Sequence, residues 1–386
     1  MDAPFKVGGI VEPPYFVGRE SELRSLAENA RTLAQSVLVL APRRYGKSSL
    51  LHNLRRELQG ETALLIPYVN CRDMMCLSDF QRAMVSALLE EYERISRTRG
   101  LLAIFRRTLK EKTLAALRSV EEVGGSVGDI GKISLRFREN EIDELELLRG
   151  AFRFFRSFSE ERAMRIVFLM DEFQEIASFN GVLFNLLKKE LDENVQTRYV
   201  FSGSSVRMLS SIFLSEDAPL YLMVARHRME ALSKEDVEGF VASRLAVAGL
   251  HVSKPAGLLF HELTSGIPFY VQKLGLLVVQ AAGLGERTTV DAPAVRQAFA
   301  RMLDELDSEF ETRWLSRFSP LQRQIVKALG ELGEATVTEM AASMGVERTD
   351  ISSSLRRLRD MMVVHSNGEG SHALVDTVFG AWLRQV

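Results

Sequence analysis

Cysteine is almost missing from this chain: Cys71 and Cys76 are the only two in 386 residues. That excludes a disulfide framework and any thiolate cluster with zinc-ligand spacing, and leaves two free thiols, buried or half-buried, as the expectation. A surplus of charge is missing too. The 49 basic and 51 acidic side chains nearly cancel to a net −2, so no global field draws the molecule onto nucleic acid or membrane, and any such contact must come from a local patch. No uninterrupted apolar run is long enough to span a bilayer. The opening MDAPFKVGGIVEPPYFVGRE lacks the basic start and apolar core of a signal peptide. A cytoplasmic protein with no membrane partner is expected.

What is present reads as a globular chain of two or three domains, 46% hydrophobic and 26% charged, without biased tracts or internal repeats. A Pro- and Gly-rich lead-in is followed by a helical period from Gly18 to about Arg31. The runs 36–41, 63–69, 165–171 and 198–203 read as buried strands, with a weaker fifth at 224–229. Pro67 makes the second irregular. A long helical region covers about 77–118, basic from Arg94 to Lys112, where a solvated helix face is the plainer reading. The glycines at 124, 125, 128 and 131 predict a turn-rich hairpin over 123–137, before an acidic helix from Glu139 to about Phe158. Strands alternating with helices imply a mainly parallel sheet covered on both faces. From Ser233 to about Trp314 the pattern is helical throughout.

Residues 41–49, Ala-Pro-Arg-Arg-Tyr-Gly-Lys-Ser-Ser, stand directly after a strand and before a helix. Gly46, Lys47 and Ser48 satisfy the end of the phosphate-loop pattern, and Ala41 replaces its first glycine. Successive backbone N–H groups must wrap an anion, which calls for a residue without a Cβ at Gly46. Lys47 supplies a charge to the outer phosphates of ATP, and Ser48 a hydroxyl for Mg²⁺. Arg43, Arg44, Tyr45 and Ser49 complete the expected nucleotide contacts. The apolar strand Ile166-Val-Phe-Leu-Met-Asp171-Glu172 ends in two carboxylates. Asp171 is placed to hold Mg²⁺, directly or through water, and Glu172 to orient and deprotonate the attacking water. The plainer alternative is an acidic helix start after a core strand.

The last segment predicts helices over 320–332, 337–343 and 348–360, then a hairpin over 363–375 turning at Asn367-Gly368. Three helices and a hairpin make a winged helix-turn-helix, whose third helix enters the DNA major groove. That helix offers Thr349, Ser352, Ser353, Arg356, Arg357 and Arg359 to phosphates and base edges. From Ser319 onward, however, seven basic residues face eight acidic ones, and the wing tip carries Glu369 and no Lys or Arg. Because nonspecific affinity depends on phosphate neutralisation, double-stranded DNA and a protein partner both remain open.

Taken together, Phe16-Val-Gly-Arg-Glu20, Pro42-Arg-Arg-Tyr-Gly-Lys-Ser48, Leu169-Met-Asp-Glu-Phe-Gln174, Phe201-Ser-Gly-Ser-Ser205, Pro219-Leu-Tyr221 and Gly266-Ile-Pro-Phe-Tyr270 resemble the archaeal-type ATPase family of the STAND and AAA+ branches, related to origin-recognition ATPases. They recur in family order over nearly the whole chain. The resemblance implies an α/β P-loop domain over 1–230 with an insertion at about 95–150, a helical lid over 231–314 and a winged helix over 315–386. It implies that Val17 and Arg19 line the adenine side, that Ser202 or Ser204 senses the γ-phosphate, and that Pro268 belongs to a lid turn reading the nucleotide. It also implies an ATP-dependent homo-oligomer. The family commonly has Gly-Arg soon after Pro-Leu-Tyr, where this chain has Leu222-Met-Val-Ala-Arg226. Arg226 is therefore the candidate for an arginine acting in trans, with Arg228 close behind, and an ordinary surface cation is the alternative for each. The implied activity is slow hydrolysis of ATP to ADP by a nucleotide-controlled switch acting on DNA. The alternative is a STAND-like signalling NTPase whose winged helix binds a protein or autoinhibits.

Overall fold

Short apolar runs separated by amphipathic helices leave the strands no option but burial on both faces, and the chain forms a parallel sheet. The computed structural model describes residues 3–61, 63–96, 144–179, 181–283, 288–368 and 370–385. It divides into two compact units, one of residues 21–40 and 50–228, the other of residues 1–20, 41–49 and 229–386.

In the first unit the strands are β1 (Val37–Leu40), β2 (Leu64–Leu65), β3 (Tyr68–Asn70), β4 (Arg165–Asp171), β5 (Thr197–Gly203) and β6 (Ala225–Arg228). The order is β2-β4-β5-β1-β6, with β3 also on β4, and every pairing is parallel. The run 63–69, expected as one irregular strand, is two: Pro67 has no N–H to continue the ladder, and only its carbonyl bonds, to the Leu169 amide at 2.9 Å. Helices α1 (Glu20–Thr32), α2 (Lys47–Glu57), α3 (Leu77–Ser96), α4 (Glu144–Arg162) and α5 (Gly181–Glu193) accompany the sheet. Phe154, Phe155, Phe158, Phe168, Tyr199 and Phe201 are fully buried, and Tyr199 stacks between Phe168 and Phe201 with ring centroids 5.6 Å away on each side. The hairpin expected over 123–137 lies outside the described residues, as does the insertion from 97 to 143 with all of the basic stretch except Arg94. Arg94 and Arg55 bind the fully buried Glu91 at 2.6 and 2.7 Å. Burial alone would raise that carboxyl, yet the Arg94 and Arg55 guanidiniums hold it below the usual carboxylate range. Cys71 and Cys76 are free thiols.

One buried acid behaves in the opposite way. Glu190 on α5 is 2% exposed and accepts from Asn194 Nδ2 at 2.7 Å, with Arg156 at 3.6 Å. Burial outweighs these partners and pushes its carboxyl up to about 7. The folded state therefore holds a proton that the unfolded chain releases near pH 4.3, so this group's contribution is full below that value and is lost as pH rises through 7. Glu190→Gln is expected to match the wild type near pH 4 and to exceed it by about 3–4 kcal/mol at pH 8. Denaturant unfolding at both pH values measures this, and an equal difference at the two would refute it.

In the second unit α6 (Lys234–Val247), α7 (Lys254–Thr264), α8 (Pro268–Gly283) and α9 (Ala292–Arg317) form a helical layer. Side chains of Ser233, Ser253 and Asp291 cap three of them, accepting from the N3 amide in each case. The region is not helical throughout: β7 (His251–Val252) and β8 (Thr289–Val290) pair in parallel within it. Two-residue strands are too short to imprint an alternation on the sequence. The terminal module has α10 (Pro320–Leu332), β9 (Glu334–Thr336), α11 (Val337–Met344), α12 (Arg348–Asp360), β10 (Val364–Ser366), β11 (Ser371–Leu374) and α13 (Thr377–Leu383). Capping boxes at Ser319/Gln322 and Thr336/Glu339 open its first two helices, and left-handed Gly345 closes the second. The expected hairpin has a third strand, β9, paired to β11. Among the described residues no helix is long and apolar enough to cross a membrane.

Candidate active site

The loop 41–49 lies in the second unit. Ala41 is fully buried and its φ is not positive, so a methyl group is accommodated where the motif commonly has glycine. Gly46 is different. Its φ is +87°, in the left-handed region, while a Cβ there would meet nothing within 4 Å, so the demand for glycine is conformational. Helix α2 begins at Lys47, presenting its unpaired N–H groups and positive dipole end to the loop. The Lys47 ammonium, 7% exposed, folds back to the carbonyls of Ala41 and Pro42, each at 2.8 Å. The Ser48 hydroxyl has no hydrogen-bond partner among the described residues. Ser49 Oγ accepts from the Val11 amide at 3.1 Å and so ties the lead-in to the loop.

Beside the loop is a mostly apolar pocket. Tyr45, Gly46 and Ser49 line it from the loop, and Val17, Arg19 and Pro268 line it from elsewhere in the same unit. Its walls also include Val11, Tyr15, Leu232, Phe240, Val271 and Gln272, which the sequence reading did not single out. Nothing local marks them, for they are scattered over the chain and look like ordinary core residues. Gln272 braces the lead-in, accepting from the Lys6 amide and donating to the Tyr15 carbonyl, both at 3.1 Å. Gly266, in the turn before α8, has φ +69°, and a Cβ there would fall 2.1 Å from the Leu232 carbonyl oxygen. Only glycine closes that turn. Arg43 is exposed. Arg44, also left-handed at φ 74°, points away from the pocket into the helical layer, bonding Tyr270 and Glu309.

The two candidate carboxylates lie in the first unit. β1, β5 and β4 run parallel, and Leu40 is in register with Gly203. β4 thus delivers Asp171 to the carboxyl edge of this sheet. Asp171 is 2% exposed. Its Oδ1 accepts from Ser202 Oγ and from the Glu172 amide at 3.0 Å, and its Oδ2 from Tyr68 Oη at 2.9 Å. Glu172 sits at φ 51°, a left-handed backbone. Its carboxylate accepts from Gln174 Nε2 at 2.6 Å, Ser204 Oγ at 2.9 Å and Arg72 at 3.3 Å. The two serines therefore divide the carboxylates between them, Ser202 on Asp171 and Ser204 on Glu172. Burial and the Asp171 charge push the Tyr68 phenol and the Cys71 thiol well above their usual ranges. Arg226 and Arg228 are exposed on the edge strand β6.

Asp171 in the first unit and Ser48 in the second are each of a donor type that magnesium takes from a protein. Asp171 Oδ2 has accepted one hydrogen bond of two, and the Ser48 hydroxyl is uncommitted among the described residues. One carboxylate and one hydroxyl are what an ion held mainly by phosphate and water takes from a protein. No group of three or more acidic, His or Cys side chains among the described residues forms an all-protein metal site.

On the terminal module, Thr349, Ser352, Ser353, Arg356, Arg357 and Arg359 are all exposed on α12, while Ile351, Leu355 and Leu358 are buried beneath them. Residues 319–366 match the family described as bacterial regulatory protein, arsR family. Across the whole chain, a Walker-type ATPase of Pyrococcus abyssi superposes with a TM-score of 0.69 at 17% identity, covering 99% of each chain. The fold is that of a Walker-type ATPase with a terminal winged helix. The ORC2 protein of Aeropyrum pernix, solved in complexes with ADPNP and ADP, superposes with a TM-score of 0.60 at 12% identity, over 99% of this chain and 97% of that one. No curated protein matches the chain in sequence.

Proposed function

We propose that this protein is an ATP-binding switch that hydrolyses ATP slowly with Mg²⁺, and that its nucleotide state governs DNA binding through the winged helix. The observation that carries this reading is a pocket whose wall is shared by the phosphate loop and the apolar side chains of Val17, Leu232, Pro268 and Val271. One wall suits a planar base and the other an anionic tail, which is the division a nucleotide requires. Two solved structures similar to it at full length support the same reading, one named an ATPase and one holding ADPNP and ADP.

In this reading Val17 and Arg19 flank the adenine, and Arg43, Arg44, Tyr45, Gly46, Lys47, Ser48 and Ser49 surround the phosphates. Ser48 and Asp171 hold Mg²⁺, which supplies charge neutralisation of the phosphate oxygens when bound. Glu172 takes a proton from the attacking water as its oxygen bonds to the γ-phosphorus and the bond to the bridging β–γ oxygen breaks, giving ADP and phosphate. Ser204, bonded to Glu172, and Ser202, bonded to Asp171, couple both carboxylates to the γ-phosphate, and Pro268 carries the base wall with the lid. Arg226 acts from a neighbouring subunit in an ATP-dependent homo-oligomer. The P-loop, lid and winged-helix domains divide near residues 230 and 314, and the compartment we assign is the cytoplasm, in keeping with two free thiols. Calorimetric titration with ATP and Mg²⁺ and a phosphate-release assay test the chemistry, and absence of ATP binding would remove the reading.

For DNA, the exposed row on α12 predicts salt-sensitive contacts to phosphate. Replacing Arg356 and Arg357 together with Ser is expected to weaken duplex binding roughly tenfold at low salt and to lower the salt-dependence slope by about 1 per arginine. Filter binding across a salt series, with and without ATP, measures both. Equal binding by wild type and variant at every salt concentration favours the second reading, a protein partner for the winged helix, which rests on the module's slightly acidic balance.

A further inference from the structure

The Arg44 side chain fastens the phosphate loop to the helical layer, and its contacts continue into the terminal module. Its guanidinium lies over the rings of Phe269 and Tyr270, 4.6 and 4.9 Å from their centroids, and 5.7 Å from that of Phe310. It donates to Tyr270 Oη and pairs with Glu309. Its own carbonyl accepts from the Phe269 amide at 3.4 Å. Tyr270 Oη in turn donates to Asp376 Oδ2 at 3.0 Å, an oxygen also held by Arg313 at 2.6 Å. Asp376 is the N-cap of α13, its Oδ1 accepting from the Phe379 amide at 3.0 Å. That helix is packed on α9 through Phe310 against Phe379, with Trp382 stacked on Phe379 and bonded to Asp307 at 2.7 Å.

The phenol in the middle is a two-sided joint, accepting from Arg44 with a lone pair and giving its only proton to Asp376. Burial, then the Asp376 charge, push it well above its usual range, so it keeps that proton at any physiological pH. A guanidinium has two competing uses here. It can stay on Tyr270 and Glu309, or turn onto a phosphate bound in the loop, where bidentate charge-assisted bonds are stronger. A ligand shifts an equilibrium only by its differential affinity for the two states, and Arg44 supplies that difference.

We infer that Arg44 reports nucleotide occupancy to the winged helix through Tyr270 and Asp376, exchanging its phenol and Glu309 contacts for phosphate. This rests on the nucleotide reading of the loop. Linkage makes the effect reciprocal: whatever weakens the hold of Tyr270 on Arg44 must strengthen ATP binding, whereas a merely structural tyrosine would weaken binding or leave it alone.

The chain's two tryptophans, Trp314 and Trp382, both lie where α9 meets α13, so intrinsic fluorescence reads the far end of the relay. The full-length protein is titrated with ATP and Mg²⁺, following heat for affinity and tryptophan emission for the response. In wild type, emission is expected to change on saturation. Tyr270→Phe keeps the ring and removes the joint. It is expected to bind ATP a fewfold tighter while the emission change shrinks about fivefold or more. Should that variant lose its cooperative melt, Asp376→Asn, which keeps a good helix cap, is judged by the same two criteria. A folded variant that binds ATP no tighter than wild type, or whose emission change is undiminished, overturns the relay, as does a wild type that binds ATP without any emission change. A wild type that does not bind ATP at all defeats the nucleotide reading itself, a distinct result.

Discussion

Lys47→Ala is expected to abolish ATP binding at ordinary concentrations while leaving the melting transition in place. The ammonium is almost wholly buried, and among its contacts are two carbonyls of its own loop, each at 2.8 Å. Such a cation is costly to bury, and neutral carbonyl acceptors repay only part of the lost hydration. Removing it leaves buried carbonyls without this donor, at about 1–3 kcal/mol, and also removes the opposing cost of burying the cation. For a bound triphosphate the balance is reversed. Truncating one side of a desolvated charge contact costs about 2–5 kcal/mol, which at 1.4 kcal/mol per decade is roughly thirtyfold to several-thousandfold in affinity. Calorimetric titration with ATP, beside thermal unfolding of the same preparation, separates the two effects. A variant that melts like wild type and still binds ATP within threefold of it would show that Lys47 serves the loop and not the ligand.

The parts of this fold that were legible in the sequence are those whose cause is local. Helices α10 and α12 fall on the expected residues, 320–332 and 348–360. For α10, the Ser319 cap, Pro320 at the first turn and Gly333 after the last are all written within one stretch of chain. The parallel sheet was legible because strands buried on both faces are apolar runs rather than alternations. What escaped is what depends on partners far away. β9 is three residues long and exists as a strand because β11 pairs with it. α13 is seven residues, too short for a helical period to stand out. Tyr68, which bonds Asp171, is 103 residues from it in sequence, and Gln272 is 266 from the lead-in amide it binds. The motif residues Gly46, Lys47 and Ser48 could be named from spacing alone, but the pocket wall of Val11, Leu232, Phe240 and Val271 could not, because an apolar side chain facing a ligand and one facing a core obey the same pattern.

Glu172→Gln is expected to keep ATP affinity near that of wild type and to cut turnover by about 10²–10⁴, the usual contribution of a positioned general base. The substitution is as close to isosteric as chemistry allows. The amide oxygen can still accept from Ser204 Oγ or Gln174 Nε2, which now hold the carboxylate at 2.9 and 2.6 Å, and the left-handed backbone at this position is no harder for Gln than for Glu. What disappears is a negative charge beside Arg72 and the capacity to take a proton. A half-exposed ion pair at 3.3 Å contributes little to stability, so the variant should fold. The same contacts argue that turnover in the wild type is slow. A carboxylate accepting four hydrogen bonds, one of them from an arginine, has its lone pairs engaged until a bound water displaces a donor. Arg72→Ala follows from this with the opposite sign: releasing one donor should raise turnover modestly, with ATP affinity unchanged. Steady-state phosphate release over the three proteins decides the matter. If Glu172→Gln turns over at the wild-type rate, the proton goes elsewhere, and the dense bonding around Glu172 serves only to hold the end of β4 against β5.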